Sequence, residues 1–151
     1  MGPGPKINPS TPISWTEASI EAIYKATTEA SFSDAFDAFF AEQVEITVNG
    51  SHVRRSDYKA EIWQRKADQL SAGVTFKDVV QVNADDNKVV QVGAFYNATI
   101  TDHLVHTNTV TSSSNFTVEQ GELVVFSGES ERSRRVVALN ETQLYVLGRE
   151  G

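Results

Sequence analysis

A chain of 151 residues with 40% hydrophobic and 22% charged side chains has the size and composition of one globular domain with a real core. A formal net charge of −7 disfavours nucleic acid, whose phosphates reward Lys and Arg, and the lack of cysteine removes disulfides, thiolate nucleophiles and Cys-ligated metal sites. No apolar run approaches the roughly 20 residues that cross a bilayer, and no secretory signal opens the chain, so a cytoplasmic protein without a membrane partner is expected.

Residues 1–13 read as an extended, Pro-rich lead-in. Ser14-Trp15-Thr16-Glu17 then matches a capping box, with Ser14 as the cap, and Ile20, Ile23 and Tyr24 follow at helical spacing. The spacing predicts a first helix over about 15–30. Phe32, Ala35, Phe36, Phe39 and Phe40 form the apolar stripe of a short second helix. Val44, Ile46 and Val48 alternate with polar residues as a half-buried strand ended by Asn49-Gly50. A third helix starts at Ser56 or Asp57, uses Tyr58, Ile62, Trp63, Ala67 and Leu70 as its apolar side, and stops at Gly73.

The remainder reads as strand: Val74–Val82, a polar turn at 83–87, Lys88–Thr101, Thr107–Glu119, a hairpin turn at Glu119-Gln120-Gly121-Glu122, and Leu123–Arg132. The last stretch, Val136–Leu147, has two apolar runs around Asn140-Glu141 and reads as one more strand or a short hairpin. Four Asn-X-Ser/Thr sequons occur, two of them inside apolar strands, and are taken as chance matches. Segregated helices followed by a long meander give an α+β layered fold, with a cleft expected between helices and sheet.

This order of elements resembles the nuclear-transport-factor-two-like superfamily, with its SnoaL-like cyclases and ketosteroid isomerases. The resemblance rests on Ser33–Glu42 (SDAFDAFFAE), Val44–Gly50 (VEITVNG) and the turn Phe116–Leu123 (FTVEQGEL). It implies a cone-shaped curved antiparallel sheet closed by three N-terminal helices over residues 14–133, with 134–151 as a C-terminal extension, a strand beyond the usual core. It places the isomerases' helix-one tyrosine on Tyr24, their catalytic carboxylate on Val48 or Asn49, and a second carboxylate near Ser114. An apolar or amide side chain cannot take up that proton.

The candidate ligand contacts are therefore Tyr24, Phe36, Phe40, Asn49, Trp63, Tyr96, Ser112, Ser114 and Phe116. Weak catalytic candidates are Tyr24, Asn49, His103 and His106. His103 and His106 fall in a hairpin connection and His52 in another loop, so no metal site and no cofactor are expected. Three readings follow. The chain binds a small, largely apolar molecule in the cone; it is a cofactor-free isomerase, cyclase or dehydratase; or it is a non-catalytic homodimer pairing through the outer face of the sheet.

Overall fold

The computed structural model describes residues 11–83, 88–121, 124–126, 129–131 and 133–148, with side chains described outside 122–132. The described residues form three helices, α1 (Pro12–Lys25), α2 (Glu29–Phe39) and, after the first two strands, α3 (Arg55–Lys66). The strands are β1 (Phe40–Val48), β2 (Ser51–Val53), β3 (Gln69–Asn83), β4 (Val89–Asp102), β5 (Thr107–Gln120), β6 (Val124–Phe126), β7 (Glu129–Glu131) and β8 (Arg134–Val146).

The cap of the first helix is Thr11, three residues before the one expected. Thr11 accepts from the Ser14 amide and the Ser14 hydroxyl accepts from the Thr11 amide, both at 3.0 Å. Pro12 then occupies the first turn, where its missing N–H costs nothing. Thr28 and Ser31 repeat the reciprocal arrangement at α2. The third helix ends earlier than its apolar stripe suggested. Leu70 and Gly73 are already in β3, and Leu70 is exposed.

The main sheet runs β2-β1-β8-β5-β4-β3, every neighbouring pair antiparallel except β1 with β8. It is a mixed sheet rather than the wholly antiparallel one expected. Arg134–Val146 form β8, hydrogen-bonded to β1 on one side and to β5 on the other. Leu123–Arg132, read as one strand, instead contains β6 and β7, which pair with each other in a separate hairpin. Asn49 (φ 51) and Gly50 (φ 85) turn β1 into β2 in the left-handed backbone that a tight hairpin needs. The polar turn at 84–87, Glu122 and residues 1–10 of the lead-in lie outside the described residues.

Period-two alternation sets the two faces of the sheet. Val90, Val92, Ala94, Tyr96, Ala98 and Ile100 of β4 and Val110, Phe116 and Val118 of β5 face the helices and are buried. Phe32, Phe36 and Phe39 of α2 and Ile20 and Ile23 of α1 close over them. Each such side chain contributes on the order of 1.5–3 kcal/mol on burial. Two register shifts interrupt β3, at Leu70 and at Lys77, and another falls at Val137 of β8.

Lys66 fastens α1 to the rest. Its ammonium, on a residue only 2% exposed, donates to the carbonyls of Tyr24 (2.8 Å) and Ala26 (2.6 Å), the orphan acceptors at the end of α1. It also donates to Gln69, and it lies 5.9 Å from the rings of both Phe32 and Trp63. Burial lowers this amine to about 8.

Candidate functional site

The cone interior is organised around a residue that the sequence reading passed over. Glu141 of β8 is 1% exposed and points toward the helices. The register sets it directly across from Ser114 of β5, and Ser112 across from Gln143. Tyr58 of α3 donates to Glu141 Oε1 at 2.7 Å and the Gln143 amide to the same oxygen at 2.9 Å. Ser112 and Ser114 reach Oε2, the latter at 3.1 Å, and Tyr96 approaches it at 3.5 Å. The two serine hydroxyls stand 2.7 Å apart. A buried carboxylate is tolerable only when its lone pairs are met in this way.

Among the described residues no cation touches Glu141 directly. Arg65 donates to Gln143 Oε1 at 2.7 Å, is paired with Glu61 at 3.4 Å, and lies over the Tyr145 ring. A relay of Glu61, Arg65, Gln143 and Glu141 thus runs from the surface of α3 to the centre of the cone. The tyrosines feel both the burial and the carboxylate. Burial first, then the charge of Glu141, pushes the Tyr24, Tyr58 and Tyr96 hydroxyls far above the usual phenol range. All three hydroxyls stay protonated across the physiological range.

Above this cluster lies a cavity lined by Ile20, Ile23, Tyr24, Phe39, Phe40, Tyr58, Ile62, Tyr96 and Phe116. Its volume is about 10 Å³, room for a single water molecule rather than for the small apolar ligand expected from the sequence. Of the candidate contacts, Tyr24, Phe40, Tyr96 and Phe116 line it, and Ser112 and Ser114 sit beside it on Glu141.

The other candidates go elsewhere. Phe36 is fully buried between Phe40 and Tyr58, outside the cavity lining. Trp63 stacks on Phe32 at 5.2 Å, between α2 and α3. Asn49 is exposed, and its amide group is committed to the backbone of Gln143, accepting from the N–H at 2.9 Å and donating to the carbonyl at 3.1 Å. It is a strand clasp rather than a ligand contact. His103 turns to Asp68 and His106 to Asp102, both at the tip of the β4–β5 hairpin, and His52 is exposed in β2. Among the described residues, no group of three His, Asp or Glu side chains could hold a metal ion.

The opposite face of the sheet is open. Val80, Val82, Phe95, Leu144 and Val146 are exposed there, around a belt of Thr109, Thr111, Ser113, Asn115 and Thr117. A shallow groove of about 570 Å³ crosses it from Glu45 and Thr47 to Val82. Among the described residues no helix is long and apolar enough to cross a membrane.

No protein-family profile matches the sequence, and no curated protein matches it. Solved structures do match. The Candida albicans Mtr2–Mex67 M domain complex superposes with a TM-score of 0.59 at 10% identity, over 91% of this chain and 97% of that one. A protein of unknown function from Pseudomonas aeruginosa, described as NTF-2-like, gives 0.56 at 10% identity, over 87% and 94%. The hexachlorocyclohexane dehydrochlorinase LinA type 2 gives 0.52 at 7% identity, over 91% and 92%. At such identities the likeness lies in the path of the backbone, and that path, three helices closing one face of a curved six-stranded sheet, is the nuclear-transport-factor-two-like fold.

Proposed function

We propose that the chain is a non-catalytic assembly module that pairs with a second copy through the outer face of its sheet. One contrast carries this reading. Among the described residues the cavity of the cone has room for about one water molecule, while the other side of the same sheet leaves Val82 and Leu144 about two-thirds exposed, at 65% and 63%. An exposed apolar patch rimmed by polar groups is the usual mark of an interface. The belt of hydroxyl and amide side chains between the apolar residues carries no charge, and a partner covering it leaves Glu45 and Asp78 at the rim, where their desolvation is slight. The likeness to one chain of a two-protein complex is in keeping with this use of the fold.

Sedimentation equilibrium at micromolar concentration checks it. A dimer is expected, and Val82→Lys with Leu144→Lys together should raise the dissociation constant at least a hundredfold, about 2.8 kcal/mol. A wild-type chain that stays monomeric at tens of micromolar would contradict the proposal.

A second reading has its own observation. The resemblance implies a second carboxylate near Ser114, and Glu141 is the cross-strand neighbour of Ser114. Tyr24 lines the cavity beside it. Glu141 would then move a proton on a small apolar carbonyl compound admitted by displacement of Ile20, Ile23 or Phe39. Deuterium exchange α to the carbonyl of a panel of cyclic ketones, followed by NMR, tests it. Exchange should be catalysed by the wild type and lost in Glu141→Gln; equal exchange by both, or by neither, ends this reading.

A further inference from the structure

Between α2 and α3, on the solvent side of the helices, lies a groove that neither reading uses. Its volume is about 330 Å³ and its walls are Glu29, Phe32, Ser33, Ser56, Lys59, Ala60, Trp63 and Gln64. This is the size of a small-molecule pocket. The groove exists because the facing positions on the two helices are small. Ser33, Ser56 and Ala60 leave a gap that the rings of Phe32 and Trp63 floor.

The two ends of the groove differ in charge. At one end Lys59 donates to Ser33 at 2.7 Å and to Asp37 at 3.0 Å, and Arg55 also reaches Asp37 at 3.0 Å. Two cations therefore share one carboxylate and leave a positive surplus at this end, while Glu29 is the acidic residue of the lining. Burial raises the Asp37 carboxyl, but the bonds from Lys59 and Arg55 outweigh it and hold the group below its ordinary value, so Asp37 stays ionised without neutralising both partners. The Lys59 ammonium keeps 25% of its side chain exposed and has a third proton to offer. The side chains of Ser56 and Gln64 are exposed and make no hydrogen bond to another described residue, so both are open to a ligand.

We infer that this groove binds a small aromatic carboxylate. Its carboxylate would pair with Lys59 and Ser56, and its one or two rings would lie against Trp63 over Ala60. A cation fits poorly at the Lys59 end, and a neutral aromatic gains only the ring contact. The site lies on the helical side of the fold, so it works in a monomer or a dimer and does not rest on the pairing proposal.

Titrating the full, nitrogen-15-labelled chain with naphthoate to millimolar concentration tests the inference. Amide shifts should saturate and centre on Ser33, Ser56, Lys59 and Trp63. Naphthylmethylamine should bind at least tenfold more weakly, and Lys59→Gln should weaken naphthoate at least tenfold. Ala60→Leu, a good helix former at an exposed position, should abolish binding while thermal unfolding stays cooperative. The inference is overturned by a lack of saturating shifts, by equal affinity for the amine, by shifts centred on the cone or the outer sheet face, or by undiminished binding to the Ala60→Leu chain.

Discussion

Replacing Glu141 with alanine is expected to destabilise the fold by about 3–5 kcal/mol, the range seen when one partner of a buried charged network is removed. The loss has two parts. The carboxylate currently accepts from Tyr58, Gln143, Ser112 and Ser114, and its removal leaves these donors facing a void from which water is largely excluded. The vacated volume adds a cavity cost at a site pinned on both sides by strands and unable to collapse. Against a total stability of about 5–15 kcal/mol, this is a large fraction. Glu141→Gln keeps one acceptor oxygen but turns the other into a donor aimed at the serines, so a smaller loss of about 1–3 kcal/mol is expected. Combining Glu141→Leu with Ser112→Ala, Ser114→Ala and Tyr58→Phe should recover most of the loss, because a matched apolar cluster needs no acceptor. Urea unfolding with an unchanged m-value is the measurement. An alanine variant within 1 kcal/mol of wild type would mean that the carboxylate does not hold the cluster together.

The second large effect concerns the end of the chain. A fragment ending at residue 133 is expected not to fold cooperatively, although the resemblance alone would draw the boundary there. β8 is an interior strand, and it carries Val136, Leu139 and Glu141 into the core. Without it, β1 and β2 lose their attachment to the sheet and β5 becomes a long bare edge. Circular dichroism melting and amide dispersion of residues 11–133 against the full chain check this. A sharp melt with dispersed amides in the fragment would show that β8 is dispensable.

The two faces of β4 and β5 were legible because each alternates without interruption, so Tyr96, Ser112, Ser114 and Phe116 could be assigned inward from the period alone. The three helices were legible from their stripes. What failed were places where the period breaks. Leu70 extends the helical stripe of α3, yet the chain has already turned into β3 and left that side chain in solvent. In β8 the register shift takes up Val137, with Val118 opposite Val136 and Thr117 opposite Ala138. A strict alternation from Val136 puts Ala138, Asn140 and Thr142 inside and Glu141 outside. The bulge swaps the faces, as any one-residue slip must. The prior that a Glu is seldom buried pointed the same way. Ser112 and Ser114 were therefore recognised as a polar break in an apolar face, while the group they serve was not. Asn49 stood out as an Asn-Gly pair, but its contact with Gln143 spans most of the chain and leaves no local trace.

The register shifts at Leu70 and Lys77 have a consequence for how copies of this chain can meet. β3 is the long outer strand of the sheet, and an uninterrupted strand of that length would template a further strand from a neighbouring molecule. The bulges break its ladder into short pieces, and Lys77 and Asp78 set opposite charges where an incoming strand would need flat, neutral backbone. End-to-end growth of sheets into fibres is thereby opposed at this border, even though Val80 and Val82 lie exposed beside it.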